Sequence, residues 1–265
     1  MFFAEEKASE EVSSPSEAPS EASSSVASPV DLVSSEAEGF LNMAGSFLVD
    51  AFWLNSAHHQ LGENVAISDK ARSNLIIEQC ADLQDKYGAI MGKRLLNCAV
   101  VGALDRETRA MLGVVTVKIS ILDKDQVLES ERAQALLKNA VATLGPKERR
   151  LYKDAKPSKI AKELLSPDTT TVCVLSNLAV SPNARRRGIA KILCDEVEAM
   201  AKDWGYDEMV LLVESANTPA RELYQGKLGY DLKFTKASEP ALRVDPEAGE
   251  FIETEEETMI LSKKL

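Results

Sequence analysis

Histidine is nearly missing from this chain. Only His58 and His59 occur in 265 residues, side by side. No metal-ligand spacing follows from them. Cysteine is sparse too, at positions 80, 98, 173 and 194, with no close pair. That pattern excludes a disulfide frame or a thiolate metal site and reads as reduced, buried residues. No uninterrupted apolar run approaches the ~18 residues that a membrane span needs. Basic excess is lacking as well: the net charge is −11. This argues against nucleic acid as the main partner, because phosphate binding needs clustered cations.

What the chain has in quantity is acid, unevenly placed. Residues 1–38 carry nine acids against one lysine, with eleven serines and three prolines. Such a segment buries too little apolar surface to offset its ordering entropy, so 1–38 reads as a disordered tail. It is too acidic for a transit peptide and lacks a signal-peptide core. A plain solvated tail, a new N-terminus left after processing and an incomplete gene model all suit it. A second acidic stretch, 244–257, has seven acids and no base. Between them, an apolar fraction of 45% supports a sizeable core, and 39–265 reads as one domain.

Taken in order, residues 40–54 are dense in large apolar groups and suggest a first strand with a helical turn around it. Ser68 suits an N-cap, followed by an apolar stripe at helical spacing to Tyr87 and a stop at Gly88, so 68–87 reads as a helix. Residues 95–104 and 113–122 are β-rich and joined by a polar connection. The stretch 123–170 is far longer than a compact connection needs and reads as a partly helical insertion. Further strands are expected at 171–180, 207–213, 230–234 and 257–261, and helices at 188–204 and 220–228. The acidic residues 239–256 would then join the last two strands.

The densest signal lies at 171–193, TVCVLSNLAVSPNARRRGIAKIL. An apolar strand ends in Ser181-Pro182-Asn183, then Arg185, Arg186 and Arg187 precede Gly188, and a helix begins. A helix N-terminus behind small residues is an anion site, since its first N–H groups lack partners and carry the positive end of the dipole. Alone, the stretch suits an ordinary basic-capped β-turn-α equally well. Downstream, Asn217 or Thr218 suits a cap, with Pro219 in the first turn of the next helix. On pattern alone Tyr224 is a core aromatic beside Leu223, and Glu214 is a solvated strand end.

Arg185-x-x-Gly188-x-Ala190, the preceding Leu178-Ala179-Val180, the strand VLLVES with Asn217 after it, and ARELYQGKLGY resemble the GNAT superfamily of acetyl-CoA-dependent N-acetyltransferases. The β-loop-α-β-α-β-β order from 171 to 265 fits. The resemblance implies an α/β (α+β) fold, a mixed, mostly antiparallel sheet flanked by helices. It implies acetyl-CoA as co-substrate and no metal. Leu178, Ala179 and Val180 would hold the pantetheine arm along an open strand edge beside a bulge. The loop N–H groups and side chains of Arg185, Arg186, Arg187, Gly188, Ile189, Ala190 and Lys191 would receive the pyrophosphate. Asn217, Thr218 and Pro219 would meet the pantetheine chain. Tyr224 would protonate the leaving thiolate. The base is either Glu214 or a backbone-held water chain.

The segment VDAFW at 49–53, the long insertion and LSNLAVSPNARRRGIA are similar to the plant and algal plastid branch, whose resemblance implies protein lysine or N-terminal amines as acceptors. It also implies a stromal location, with a cytoplasmic one as the alternative. A small-amine acetyltransferase and a non-catalytic subunit of this fold remain the other readings. The acceptor side would be bordered by the segment near His58, the insertion and the acidic connection.

Overall fold

A computed structural model describes residues 30–55, 67–90, 94–123 and 126–265. The first strand, β1 (Val30–Ser34), arrives earlier than expected. It pairs antiparallel with β2 (Cys98–Asp105), Val30 opposite Asp105 and Ser34 opposite Val101. Val30 joins the main core and Leu32 packs against it. The serine-rich composition of 1–38 concealed this five-residue β segment, so the tail as drawn is too long; its remaining residues 1–29 lie outside the described residues. Residues 38–54 are helical and form no strand. They form α1 (Glu38–Leu48) and a π-helical turn (Val49–Leu54). Leu41, Ala44, Gly45 and Leu48 are the buried positions, a helical spacing that overrides the β propensity of the aromatics. Next, α2 (Asp69–Tyr87) starts at Ser68, whose Oγ accepts the Ala71 N–H at 3.1 Å.

The strand β3 (Met111–Asp123) pairs with β2, and the two-residue β4 (Gln126–Val127) folds back on it. The insertion then supplies α3 (Ser130–Ala142), α4 (Pro146–Arg149), a 3-10 turn and α5 (Pro157–Leu164). After these come β5 (Thr169–Val180), α6 (Ile189–Trp204), β6 (Glu208–Glu214), α7 (Thr218–Arg221) with a π-helical turn (Glu222–Lys227), β7 (Asp231–Asp245) and β8 (Glu250–Lys264). The acidic stretch expected to be a connection is largely strand: β7 and β8 are two arms of one long antiparallel hairpin.

Among the described residues the strands form one sheet, β1-β2-β3-β5-β6-β8-β7, with β4 beside β3. Only β5–β6 is parallel; the other pairings are antiparallel. Helix α6 covers one face, where Ile189, Leu193 and Val197 meet Val115, Val117, Leu175 and Leu211. Helices α1 and α2 cover the other face at β2 and β3, with Leu41, Leu48, Leu83 and Tyr87 against Val100, Leu104 and Val114. Each fully buried leucine contributes roughly 1.5–3 kcal/mol. From Gly113 to Val117 the strand alternation of β3 sends odd residues to α6 and even residues to α1 and α2. Helices α3 and α5 pack Leu137, Ile160 and Ala161 on Ile119 and Ile121. That is the end of β3 paired with the start of β5, so the insertion props the sheet away from Val180. The fold is a mixed α/β sheet flanked by helices. No helix among the described residues is long and apolar enough to cross a membrane.

Candidate active site

The site begins where two strands part. β5 and β6 pair through only three positions, Cys173–Met209, Val174–Val210 and Leu175–Leu211. Beyond them β6 stays with β8 and β5 stays with β3. A bulge sharpens the divergence. Val114 faces Ala179 and Thr116 faces Ser176, so one residue of β3 spans two of β5. Asn177 occupies the bulge at φ 51 and donates Nδ2 to Thr116 Oγ1 at 3.2 Å. The same oxygen accepts from the buried Tyr87 hydroxyl at 3.0 Å. Ser181 donates its N–H to Leu112 O on the β3 side. Amide groups alternate sides along a strand, so those of Leu178 and Val180 point away from β3, into the gap.

The opposite end of the gap is the start of α6. Gly188 adopts φ 81 and precedes the helix. A Cβ there would meet nothing within 4 Å, so the left-handed backbone, not crowding, is what favours glycine. Gly188 O accepts the Ile192 N–H at 3.1 Å, which leaves the Ile189, Ala190 and Lys191 N–H groups at the helix start outside the intrahelical ladder. Arg186 is also left-handed, at φ 65. Such strain costs of order 1 kcal/mol and gathers at ligand-binding loops. Lys191 pairs with Asp195 at 2.5 Å on the helix surface, which raises its pKa.

The third wall is the segment after β6. Asn217 Oδ1 accepts the Ala220 N–H at 3.2 Å, committing that oxygen to capping α7. The following turn widens to π geometry, with Leu228 N donating to Leu223 O at 3.0 Å. Tyr224 is thereby turned inward. It is 8% exposed and meets Tyr230 edge-on at 5.7 Å between ring centres. Burial, with a smaller push from Cys194, raises the Tyr224 phenol far above its usual range, so it holds its proton at neutral pH.

These walls enclose a cleft of about 670 Å³. Of the expected residues it gathers Leu178, Ala179 and Val180; Arg185, Arg186 and Gly188 to Lys191; and Asn217, Pro219 and Tyr224. Arg187, Thr218 and Glu214 do not line it. Arg187 lends its charge to Asp105, whose carboxyl is lowered chiefly by hydrogen bonds from Thr108 and less by that arginine. Arg185 reaches backbone carbonyls: Nε donates to Val180 O at 3.2 Å and Nη2 to Asn55 O at 2.8 Å. Ala51, Phe52 and Lys227 line the cleft and were not among the expected site residues. Lys227 had a signal, since it lies three positions after Tyr224, on the same helical face. Ala51 and Phe52 were marked only as part of VDAFW, the plastid-branch resemblance, within a segment read as a first strand with a helical turn around it.

Glu214 has a different occupation from the one expected. Arg243 of β7 grips it with two hydrogen bonds, 2.9 and 2.8 Å, and also reaches Glu256 of β8 at 2.9 Å. A carboxylate held charged by a bidentate guanidinium is a poor proton acceptor. Its geometry fits an anchor that ties the far part of β7 to the end of β6. The hairpin tip docks across the molecule, where Val244 and Phe251 pack with Trp53 and Leu75. Trp53 meets Phe251 in a tilted contact at 5.0 Å between ring centres and donates Nε1 to Gln79 at 2.8 Å. The acidic stretch therefore forms an arm whose tip is docked against the π-helical turn of Val49–Leu54. The insertion lies at the other end of the sheet, and the segment around His58 lies outside the described residues.

Comparison with known proteins agrees with the position of this cleft. Residues 157–230, which hold the bulge, the α6 start and Tyr224, match the family model described as acetyltransferase (GNAT) family. A 56-residue stretch is 43% identical to GCN5-related N-acetyltransferase 4, chloroplastic, of Arabidopsis thaliana. That alignment spans 21% of this chain and 19% of the relative. Among solved structures, Arabidopsis thaliana NAA60 in complex with acetyl-CoA aligns at 15% identity and TM-score 0.47, covering 89% of this chain and 98% of that one. A phosphinothricin acetyltransferase of the GNAT superfamily from Sinorhizobium meliloti, in complex with AcCoA, aligns at 13% identity and TM-score 0.46, covering 89% of each chain. The match to the acetyltransferase (GNAT) family thus falls on the segment that builds most of the cleft.

Proposed function

We propose that this protein is an N-acetyltransferase that moves the acetyl group of acetyl-CoA to protein amines, either lysine side chains or N-termini. The observation that carries the reading is the meeting, in one cleft, of an open strand edge, an uncapped helix start and a buried, protonated tyrosine. Each suits one part of the co-substrate. The N–H groups at the start of α6 suit the pyrophosphate, with Arg186 and Lys227 adding charge. The Leu178 and Val180 amides suit the pantetheine arm and the thioester carbonyl, polarising it as negative charge develops on oxygen. Asn217, Thr218 and Pro219 form the turn beside that arm.

In the reaction the amine lone pair forms a C–N bond to the thioester carbon. Collapse breaks the C–S bond, the thiolate takes the proton of the Tyr224 phenol, and the phenolate is reprotonated from water. Burial that raises the phenol raises the thiol also, so the proton passes between comparably desolvated groups. The amine releases its proton to water held along the β5 edge, since Glu214 is engaged by Arg243. Replacing Tyr224 by Phe is expected to lower kcat by about 10²-fold or more, the span of a general acid, with acetyl-CoA affinity within about twofold. Equal loss of kcat and affinity would show Tyr224 to be a wall residue only.

The name of the 43%-identical relative gives N-acetyl transfer without an acceptor; the protein acceptor is supported by the exposed carboxylates of β8, which favour basic peptides. The same name supports a plastid location. The deciding assay incubates the protein with acetyl-CoA and a mixed pool of peptides and polyamines, read by mass spectrometry. Acetylated peptides are expected. Acetylated polyamines with unmodified peptides would replace the acceptor class, and no acetylated product would make the chain a non-catalytic member of its family.

A further inference from the structure

Arg185 is the first basic residue of the loop, yet its donors serve the backbone. Nε meets Val180 O at 3.2 Å, and Nη2 meets Asn55 O at 2.8 Å and Ala51 O at 3.4 Å. The last two carbonyls belong to the end of the π-helical turn that finishes α1. Carbonyls at a helix end lack intrahelical partners and carry the negative end of the dipole. A planar guanidinium stays charged at any working pH and can meet several such oxygens at once, which a lysine ammonium cannot do with the same geometry. The turn it caps carries Ala51 and Phe52, which line the cleft together with Leu178 and Val180. Val180 O is the last carbonyl of β5, directly before the loop. One side chain therefore joins the co-substrate loop, the open strand edge and the wall formed by α1.

We infer that Arg185 is a positioning residue for the acceptor. It sets the spacing between the wall of Ala51 and Phe52 and the Leu178–Val180 edge, where the incoming amine must reach the thioester, and it leaves the pyrophosphate to the α6 N-terminus. The role rests on the proposed acetyl transfer, but the strap itself is a structural property that can be tested without activity.

The experiment compares the wild-type protein with Arg185→Ala and Arg185→Lys. Hydrogen exchange is followed in peptides covering residues 45–55, acetyl-CoA affinity by calorimetry, and the acceptor KM with the best peptide from the pool assay. Arg185→Ala is expected to speed exchange in the π-helical turn about tenfold and to raise the acceptor KM about tenfold, the scale of losing charge-assisted hydrogen bonds. Acetyl-CoA affinity should stay within about twofold. Arg185→Lys should recover little of either loss. Unchanged exchange in the turn overturns the strap. A tenfold weaker acetyl-CoA affinity with an unchanged acceptor KM overturns the positioning role and makes Arg185 a phosphate ligand. If the wild-type protein acetylates nothing, the proposed activity falls while hydrogen exchange still decides whether the strap exists.

Discussion

At the scale of single residues, backbone conformation does as much as side-chain chemistry. Gly188 and Asn177 both sit at positive φ, one opening a helix and the other opening a strand edge. Gly188 separates two effects cleanly, because the space around it is empty. Gly188→Ala adds only left-handed strain, roughly 1–2 kcal/mol, and should weaken acetyl-CoA binding by about tenfold at most. Gly188→Glu places a carboxylate at the positive end of α6 and should weaken it more than about 100-fold. Calorimetry with both variants checks this; equal weakening would remove the anion role of the helix start. The glycine was legible in the sequence because its loop and helix are contiguous. The engagement of Glu214 was not. Its partner Arg243 lies 29 residues away and on another strand, and strand-end position alone cannot tell a free carboxylate from a paired one. Arg185 repeats the lesson across 130 residues.

At the scale of elements, the β7–β8 hairpin is the piece least visible beforehand. Its acids and Pro240 look like a loop in sequence, because exposed strands carry little apolar alternation. Cross-strand pairing and two anchors make it strand. Arg243, near the end of β7, ties the hairpin to the end of β6 through Glu214 and to β8 through Glu256. Gly249 fixes the tip: it adopts φ 71, and a Cβ there would lie 2.4 Å from Ala71 Cα. Gly249→Val should therefore cost about 2–4 kcal/mol, combining left-handed strain with overpacking. Local undocking would appear as a red shift of Trp53 emission, since Trp53 loses Phe251, ahead of global unfolding in urea. A variant with wild-type emission and midpoint would show that the tip does not bear on α2. The insertion shows the converse. Its helical character was readable from alanine and leucine spacing, but its place against Ile119 and Ile121, remote from the cleft, depended on the sheet.

At the scale of the whole molecule, the sheet buries titratable groups in their neutral forms. Burial pushes the Cys173 thiol up to about 12, and burial with nearby Glu198 and Asp195 does the same for Cys194. The Tyr206 phenol is likewise pushed up to about 12. Folded pKa values raised above the unfolded ones mean that stability is intact below the unfolded thiol value of ~8.5 and falls as pH climbs toward 12. Each thiol contributes at most about 1.4 kcal/mol per pH unit in that window. Urea midpoints should be level from pH 7 to ~8.5 and then decline. A Cys173→Ala, Cys194→Ala double variant should show a flatter decline up to ~10, where tyrosines begin to add. A midpoint as high at pH 10 as at pH 7 would show the thiols to be solvated.

The sequence by itself determined the contiguous half of the cleft. The strand, the loop, α6, the Asn217 cap and Tyr224 follow one another within 171–230, and local propensity, capping and spacing suffice to read contiguous parts. Tertiary structure decided the rest. Only the pairing of β5 with β3 through the bulge, and its parting from β6, turns Leu178 and Val180 toward an open gap. Only packing brings the α1 turn and the hairpin arm to the same end of the sheet. Those contacts join residues far apart in the chain, and no pattern within either segment encodes the partner; the energy that selects it comes from burying both at once.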